Sequence, residues 1–484
     1  MKLYRKFLSA ACLLASVVSV NAQNSAVQEA IDKFVSAPSL RNGSVGVCVM
    51  TLDSMKVVGE SNALQSQITA STMKTVTSAT ALHLLGKDFK FSTKVYALGE
   101  IDKKGRIDGD LVVKGGGDPT LGSRHLPREV NFIDALVAEL KAKGVKEVKG
   151  NIVVDDSAIP EPNVPASWMI EDLGYGYGTS IHALNFADNE LKLNVTIDEN
   201  GLNYYTDQTQ SYLKVENRCT TIASETDSLK YDGLGMRLDI ENDVLHLNGT
   251  VKFPFKERMT IANPSPDLLM RDSLEIALNA AGIKVKHKNV KAEKKQEVSL
   301  LLDYKSLELS KIVESLLIRS DNMYTECVLR AIAANAGKQP TSSNGVSIVK
   351  KFWKERGLDV DGLFMLDGSG LSRTNKAPVS FFTQMLASAY PTLKEQGVDF
   401  ELLFPVAGKN GTVRRVAAGT PAAGKFALKS GSMSHVQCYV GYYPVEAPKY
   451  TVGILINSFT CPRSELVKMV GEMLVGIDAG LSAK

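Results

Sequence analysis

The 484-residue chain carries 56 basic and 53 acidic side chains, which leaves a formal net charge of +3. A charge so nearly balanced gives no global attraction to nucleic acid, so we expect no nucleic-acid partner. The length exceeds one ordinary hydrophobic core, predicts two or three domains, and is ample for an enzyme.

The first 22 residues predict a secretory signal peptide. Lys2, Arg5 and Lys6 precede the apolar run "FLSAACLLASVVSV", and small residues suit cleavage after Ala22. We therefore expect export to the periplasm or to the extracellular cell-wall space. No later run reaches the roughly 18 apolar residues that a membrane span needs, so none is expected.

The cysteines that follow the predicted signal peptide show no spacing typical of metal ligands: Cys48, Cys219, Cys327, Cys438 and Cys461. If a disulfide forms, Cys438 and Cys461 are the best candidates, because they fall at the start and the end of two strands that can lie side by side. The six histidines are equally scattered, so we expect neither a metal site nor a cofactor.

The N-terminal part predicts a β-hairpin and then a helix. Residues 44–59, "SVGVCVMTLDSMKVVG", alternate like two strands around an Asp-Ser turn, and the helix that carries Ser71 and Lys74 closes at Gly86. From about 89 to 260 short alternating stretches broken by Gly, Asp and Asn predict β-rich material. Helices are then predicted at 266–282, 306–319 and 322–336.

The C-terminal part predicts three antiparallel strands, "KFALKSGSM", "VQCYVGYYPV" and "YTVGILINSF", followed by an amphipathic helix, "SELVKMVGEMLVGIDAG". If the N-terminal hairpin joins these strands, the sheet has five strands with helices on its faces. The expected fold class is therefore α/β (α+β), an antiparallel sheet flanked by helices, with a large β-rich insertion.

Ser71 and Lys74 form an S-x-x-K pair at the start of a predicted helix, where residues three apart share a face. The pattern alone is not diagnostic, because it recurs at Ser211 with Lys214 and at Ser347 with Lys350. Such a pair is either a nucleophile with its base or part of a solvated helix face.

Two further motifs decide between these readings. S-D-N lies at 320–322, between two predicted helices, and K-S-G lies at 429–431 on a predicted strand. The order S-x-x-K, S-D-N, K-[ST]-G is the signature of serine penicillin-recognising enzymes. Only the Ser71 pair fits this order, since Ser347 follows S-D-N and Ser211 lies in a polar, strand-like segment.

The chemistry requires these residue types. A serine hydroxyl needs a base, and a lysine serves only if burial or a second cation lowers its pKa. We expect Lys429 to be that cation, and the N–H groups of Ser71 and Ser432 to form an oxyanion hole. The predicted catalytic residues are Ser71, Lys74 and Ser320, which relays a proton to the leaving amine, and the predicted substrate-binding residues are Asn322, Lys429, Ser430 and Ser432.

The chain resembles the D-alanyl-D-alanine carboxypeptidase/endopeptidase family of penicillin-binding proteins, peptidase family S13, the class C low-molecular-mass type. The long separation of Ser71 from Ser320 fits this family better than a compact β-lactamase. Further matching phrases are "GGGDPTL", "DDSAIP", "SWMIEDLGYGYG", "ALNFADN" and "DGSGLSR". One departure is Ser430 and Ser432 in K-S-G-S, where the family usually has threonines; both replacements keep the hydroxyl.

The resemblance implies a penicillin-recognising catalytic domain at 23–88 and 262–484, an inserted domain at 89–187 and 249–261, and a nested β-rich module at 188–248. It implies hydrolysis of peptidoglycan stem peptides ending in D-alanine, or of cross-links, through an acyl-enzyme on Ser71. β-Lactams would be covalent inhibitors.

Several alternatives remain open from the sequence. One is a β-lactamase or esterase on the same fold, although "EPN" at 161–163 does not supply a deacylating E-x-x-N segment. Another is a non-catalytic peptidoglycan-binding protein. "DGSGLSR" predicts a turn near the site, in which Arg373 either contacts substrate or is structural, and "GGGDPTL" predicts a turn rather than a phosphate loop.

Overall fold

The structure is a computed structural model that describes residues 24–160, 162–207, 213–223, 233–288 and 298–482. The predicted signal peptide at 1–22 and Ser211 lie outside the described residues. The helices are α1 (Ser25–Val35), α2 (Met73–Leu85), α3 (Phe132–Ala142), α4 (Pro266–Ala280), α5 (Leu309–Arg319), α6 (Asn322–Asn335), α7 (Ser342–Glu355), α8 (Val379–Glu395) and α9 (Arg463–Ser482).

The strands are β1 (Ser44–Thr51), β2 (Val57–Ser61), β3 (Ser66–Ile68), β4 (Ser92–Leu98), β5 (Arg106–Ile107), β6 (Leu111–Lys114), β7 (Glu147–Val148), β8 (Ile152–Asp155), β9 (Glu190–Asp198), β10 (Gly201–Thr206), β11 (Lys214–Ala223), β12 (Gly235–Asp239), β13 (Val244–Phe253), β14 (Phe255–Ala262), β15 (Lys284–Val285), β16 (Val298–Lys305), β17 (Lys376–Pro378), β18 (Ala427–Met433), β19 (Val436–Tyr443) and β20 (Tyr450–Asn457).

The largest sheet among the described residues has five strands in the order β18-β19-β20-β1-β2, and neighbouring strands are antiparallel. This confirms that the N-terminal hairpin joins the three C-terminal strands. Side chains alternate between faces along a strand. Val47 and Val49 accordingly pack with α1 and α9 in one core cluster, whereas Cys48 and Met50 belong to the cluster that contains α2 and α8.

Helix α1, which we did not predict, covers the sheet next to α9. It buries Val27, Ile31 and Phe34, spaced for one helix face. Asn24 caps it by accepting from Ala26 N at 3.2 Å, and its amide donates to Gly480 O at 2.7 Å, which ties the helix to α9. The three helices predicted after residue 262 are confirmed as α4, α5 and α6.

The inserted region is built mainly of sheets, as predicted, but it also contains α3. This helix buries Phe132, Leu136 and Leu140 four residues apart, and Asn131 caps it by accepting from Asp134 N at 2.9 Å. The β-rich reading missed it because short strands surround it on both sides.

Strand pairing also connects residues after 261 to the inserted region. β15 pairs with β7, β16 pairs with β4, and α4 packs on α3. We predicted no element at 298–305, which forms β16. The nested sheets, β10-β9-β14 and β11-β13-β12, likewise run past residue 248. The domain limits themselves stay a prediction.

The pairing of Cys438 with Cys461 is wrong, since both are free thiols. The Cys438 side chain lies in the cluster shared with α2 and donates to Ile68 O at 3.4 Å, whereas Cys461 packs against the α1–α9 cluster. The two sulfurs therefore belong to opposite faces of the sheet. Burial raises the pKa of Cys438 to about 12, which makes it unreactive.

We predict that Leu474→Ala in α9 lowers the free energy of unfolding by about 2–5 kcal/mol, because Leu474 is fully buried in the α1–α9 cluster. Urea unfolding would measure the loss. The control is Leu64→Ala, since Leu64 is 83% exposed and should change stability by less than about 0.5 kcal/mol. Equal effects at both leucines would contradict the core assignment.

Candidate active site

Ser71 lies in a 3-10 turn, Ala70–Thr72, that leads directly into α2. Ala70 has a φ of 44°, a left-handed conformation that a non-glycine residue rarely adopts. Thr72 Oγ1 donates to Thr69 O at 2.6 Å, which closes the turn with a side-chain hydrogen bond. The serine is thus presented at the head of a buried helix, and it remains partly exposed.

Lys74 is fully buried one turn further along α2. Its Nζ donates to Ser71 Oγ at 3.0 Å, to Asn322 Oδ1 at 2.5 Å and to Ser369 O at 2.6 Å. The predicted nucleophile and base are therefore within hydrogen-bond distance, and Asn322 of S-D-N joins them.

These contacts favour a neutral Lys74 as the acceptor of the Ser71 hydroxyl proton. A neutral amine has two N–H donors and one lone pair. The Ser369 carbonyl and Asn322 Oδ1 can only accept, so together they occupy both N–H groups. The remaining lone pair then faces Ser71 Oγ, whose hydroxyl must donate. The same geometry holds the protonated amine, with its third N–H donated to Ser71.

Burial lowers the pKa of Lys74 to about 8, against the opposing charges of Asp367, Asp321 and Glu326. We had expected the second cation, Lys429, to contribute to this shift. The effect is seen instead on Lys429, whose pKa falls well below its ordinary value, first through burial and then through the charge of Lys74.

The second lysine pairs with the second serine. Lys429 Nζ donates to Ser320 Oγ at 2.8 Å and to the Ser430 carbonyl. Ser320 ends α5 in a left-handed conformation with φ 64°, and Asp321 then caps α6 by accepting from Tyr324 N at 3.0 Å. The sharp break between two helices thus turns the Ser320 hydroxyl toward the strand.

Strand β18 runs directly against the Ser71 turn. A Cβ at Gly431 would lie 2.7 Å from Thr69 O and 2.8 Å from Ser71 N, so the glycine of K-S-G is needed for the close approach. Ser430 Oγ donates to Thr412 Oγ1 at 2.7 Å, and Ser432 Oγ donates to Gln437 Oε1 at 3.1 Å.

The sequence did not predict that the backbone of the turn at 367–369 accepts a hydrogen bond from Lys74. Ser369 supplies the carbonyl, and its own N–H and that of Gly368 donate to the buried Glu326 at 2.8 Å. Asp367 accepts from Trp168 Nε1 at 2.9 Å. The "DGSGLSR" phrase located this turn, but nothing local indicated that its backbone would bind the lysine.

Arg373 lies at the exposed end of the same turn. Its guanidinium contacts Glu171 Oε1 at 3.3 Å. The inserted region also reaches the centre of the site, because Asn322 Nδ2 donates to Tyr177 O at 2.8 Å. Both ends of the Asn322 amide are therefore engaged within the protein, with Lys74 on one side and Tyr177 on the other.

The competing S-x-x-K match on α7 does not form such a site. Ser347 is exposed on α7, and its Oγ donates to Ser343 O at 2.9 Å. Ser211 lies outside the described residues. In the described parts of the chain, no group of His, Cys, Asp and Glu side chains is arranged to hold a metal ion.

The fold and this arrangement of motifs define a penicillin-recognising serine enzyme. A family model, the D-Ala-D-Ala carboxypeptidase 3 (S13) family, matches residues 27–464. The chain belongs to this family.

Relatives and solved structures agree. A D-alanyl-D-alanine carboxypeptidase of Actinomadura sp. (strain R39) is 28% identical over 457 residues, covering 90% of this chain and 82% of the relative. D-alanyl-D-alanine carboxypeptidase DacB of Haemophilus influenzae is 25% identical over 403 residues, covering 82% of each. The crystal structure of penicillin-binding protein 4 from H. influenzae matches with a TM-score of 0.76 at 22% identity, covering 93% of this chain and 99% of that one, which shows the same fold.

We predict that the rate constant for acylation of Ser71 by a β-lactam rises with pH and levels off above about 8. The neutral amine is the base, and its fraction grows as the pH rises through the pKa of Lys74, about 8. Stopped-flow acylation between about pH 6 and 10 would measure it. A profile that is flat or falls across this range would remove Lys74 from the role of base.

Proposed function

We propose that this protein is a serine-type D-Ala-D-Ala carboxypeptidase, and an endopeptidase on cross-links, that acts on peptidoglycan stem peptides through an acyl-enzyme on Ser71. The observation that supports this most is the contact of Ser71 Oγ with Lys74 Nζ at 3.0 Å, together with burial that lowers the pKa of Lys74 to about 8. The hydroxyl thus has an adjacent base that is partly neutral near physiological pH.

Acylation follows from the geometry. Ser71 Oγ attacks the carbonyl carbon of the penultimate D-alanine while its proton passes to Lys74. The N–H groups of Ser71 and Ser432 donate to the oxyanion. The C–N bond then breaks, and the leaving amine takes the hydroxyl proton of Ser320, which is hydrogen-bonded to Lys429 at 2.8 Å. The proton that Lys74 took from Ser71 replaces the one that Ser320 gave up. Water attacks the ester and releases the stem peptide.

Substrate recognition falls to the S-D-N and K-S-G-S residues. Lys429, Ser430 and Ser432 recognise the free carboxylate of the leaving D-alanine through charge-assisted hydrogen bonds. Asn322 holds the substrate backbone, which requires its amide to exchange the contact with Tyr177 O, at 2.8 Å, for one with the substrate.

The predicted export of the protein is consistent with a peptidoglycan substrate. The predicted signal peptide directs the protein to the compartment that contains peptidoglycan. In the part of the chain that the structure describes, no helix combines the length and the apolar character that crossing a bilayer would require. β-Lactams, which carry a strained amide in place of the scissile bond, are the expected covalent inhibitors.

We predict that benzylpenicillin adds its full mass to Ser71, and that Lys74→Ala slows this acylation by about 10²–10⁴-fold, the usual contribution of a positioned base. Intact mass spectrometry with peptide mapping would locate the adduct. Rapid release of hydrolysed penicillin would favour the β-lactamase alternative, and the absence of any adduct would favour a non-catalytic wall-binding protein.

The chain supplies a matched control at Ser347, which is exposed, and Lys350, which is partly buried. Ser347→Ala and Lys350→Ala alter the same S-x-x-K pattern on α7, away from the described site, and should acylate like wild type. An adduct on Ser347, or slowing by Lys350→Ala equal to that by Lys74→Ala, would contradict the assignment of Ser71.

We predict that the protein cleaves a peptide ending in free D-alanine faster than the matched D-alanine amide, and that Ser430→Ala reduces this preference. Losing one charge-assisted contact costs about 1.5–3 kcal/mol, a roughly ten- to 150-fold loss of kcat/KM. Lys429→Ala should cost more, because Lys429 also donates to Ser320. Equal cleavage of both peptides by wild type would refute carboxylate recognition.

A further inference from the structure

A cavity of about 820 Å³ extends from the active site to helix α9. Ser71, Ser320, Ser430 and Ser432 line it on the active-site side. Its other walls come from the segment 412–420 and the first turns of α9. A cavity of this size holds a ligand much larger than a single alanine.

The wall formed by the segment 412–420 and α9 is strongly basic. We call it the basic cleft and define it by four exposed cations: Arg414, Arg415, Arg463 and Lys468. Among the described residues that line the cavity, Glu472 is the single carboxylate. Four cations against one anion favour a ligand that carries carboxylates.

Arg463 connects the basic cleft to the K-S-G-S strand. Its Nη1 donates to Gln437 Oε1 at 2.9 Å, and the same oxygen accepts from Ser432 Oγ at 3.1 Å. Its Nη2 donates to Met433 O at 2.5 Å. Gln437 is therefore a positioning residue that sets a guanidinium beside the serine hydroxyl.

The register of the sheet shows which side of the substrate faces this cleft. Ser430 pairs with Tyr439 and Ser432 pairs with Gln437, so these four side chains share one face of the sheet. Lys429, one residue out of step, points to the other face and to Ser320. A carboxylate bound by Ser430 and Ser432 thus marks the leaving-group side, and the basic cleft continues from that point.

We propose that the basic cleft binds a leaving group that carries a carboxylate beyond the one held by K-S-G-S, namely the anionic acceptor peptide released when a cross-link is cut. This inference rests on the proposed function and makes these cations specificity determinants of the endopeptidase reaction. A leaving D-alanine carries a single carboxylate, the one held by K-S-G-S.

The test uses two substrates that differ by one charge, an acyl-D-alanyl-D-glutamate and the matched acyl-D-alanyl-D-glutamine. Wild type should release D-glutamate with a kcat/KM about three- to tenfold higher, the scale expected for several exposed cations acting together. The ratio should fall toward one when salt is raised from about 0.05 M to about 0.5 M, because exposed charges are screened.

Lys468→Gln and Arg415→Gln should each lower this ratio, whereas Lys351→Gln, an exposed lysine on α7, should leave it unchanged. Titration with penicillin normalises each variant to its folded, active fraction. If a variant is not labelled, the wild-type ratio and its salt dependence decide alone.

A wild-type ratio near one overturns the inference, and so does a high ratio that neither variant nor salt reduces. Failure of the proposed function looks different, because then neither peptide is cleaved and penicillin forms no adduct on Ser71.

Discussion

The site depends on keeping the amine of Lys74 out of water, with no ion-pair partner among the residues that the structure describes. Burial lowers its pKa, whereas the charges of Asp367, Asp321 and Glu326 raise it, and a direct ion pair would restore the protonated form. The structure directs the hydrogen bonds of those carboxylates elsewhere. Asp367 accepts from Trp168 and Ser372, Glu326 from the Ser369 backbone, and Asp321 from the Tyr324 backbone. The acids thus build the loop and the helix cap around Lys74 without contacting its amine.

That arrangement makes the inserted region part of the catalytic framework. Trp168 donates to Asp367, and the Tyr177 carbonyl accepts from Asn322, so two residues of the insertion support two of the groups around Lys74. Neither contact holds the substrate or the nucleophile. They tie the acceptors that contact the amine to residues of the inserted region.

The sequence predicted the five-stranded sheet and the three motifs because both depend on local patterns. Alternation identified the strands, and residue identity identified Ser71, Lys74, S-D-N and K-S-G. The contacts that the sequence did not predict join residues far apart in the chain. Nothing near Ser369 indicates that its carbonyl meets an amine 295 residues away, and the pairing of β16 with β4 left no trace in either strand. The expected cysteine pairing was wrong for a similar reason, because the register of β19 turns the Cys438 thiol toward the α2 cluster, whereas Cys461 packs against the α1–α9 cluster.

The edge position of β18 explains how one strand serves two purposes. It is an edge strand of the sheet. The segment 405–407 pairs with its outer edge at Ala427 and Leu428. Within the described residues no further strand joins this edge beside Ser71, so an extended peptide can add there by backbone hydrogen bonds. Alternate residues of a strand face opposite sides. Lys429 therefore reaches Ser320 on one face, while Ser430 and Ser432 face the cavity on the other.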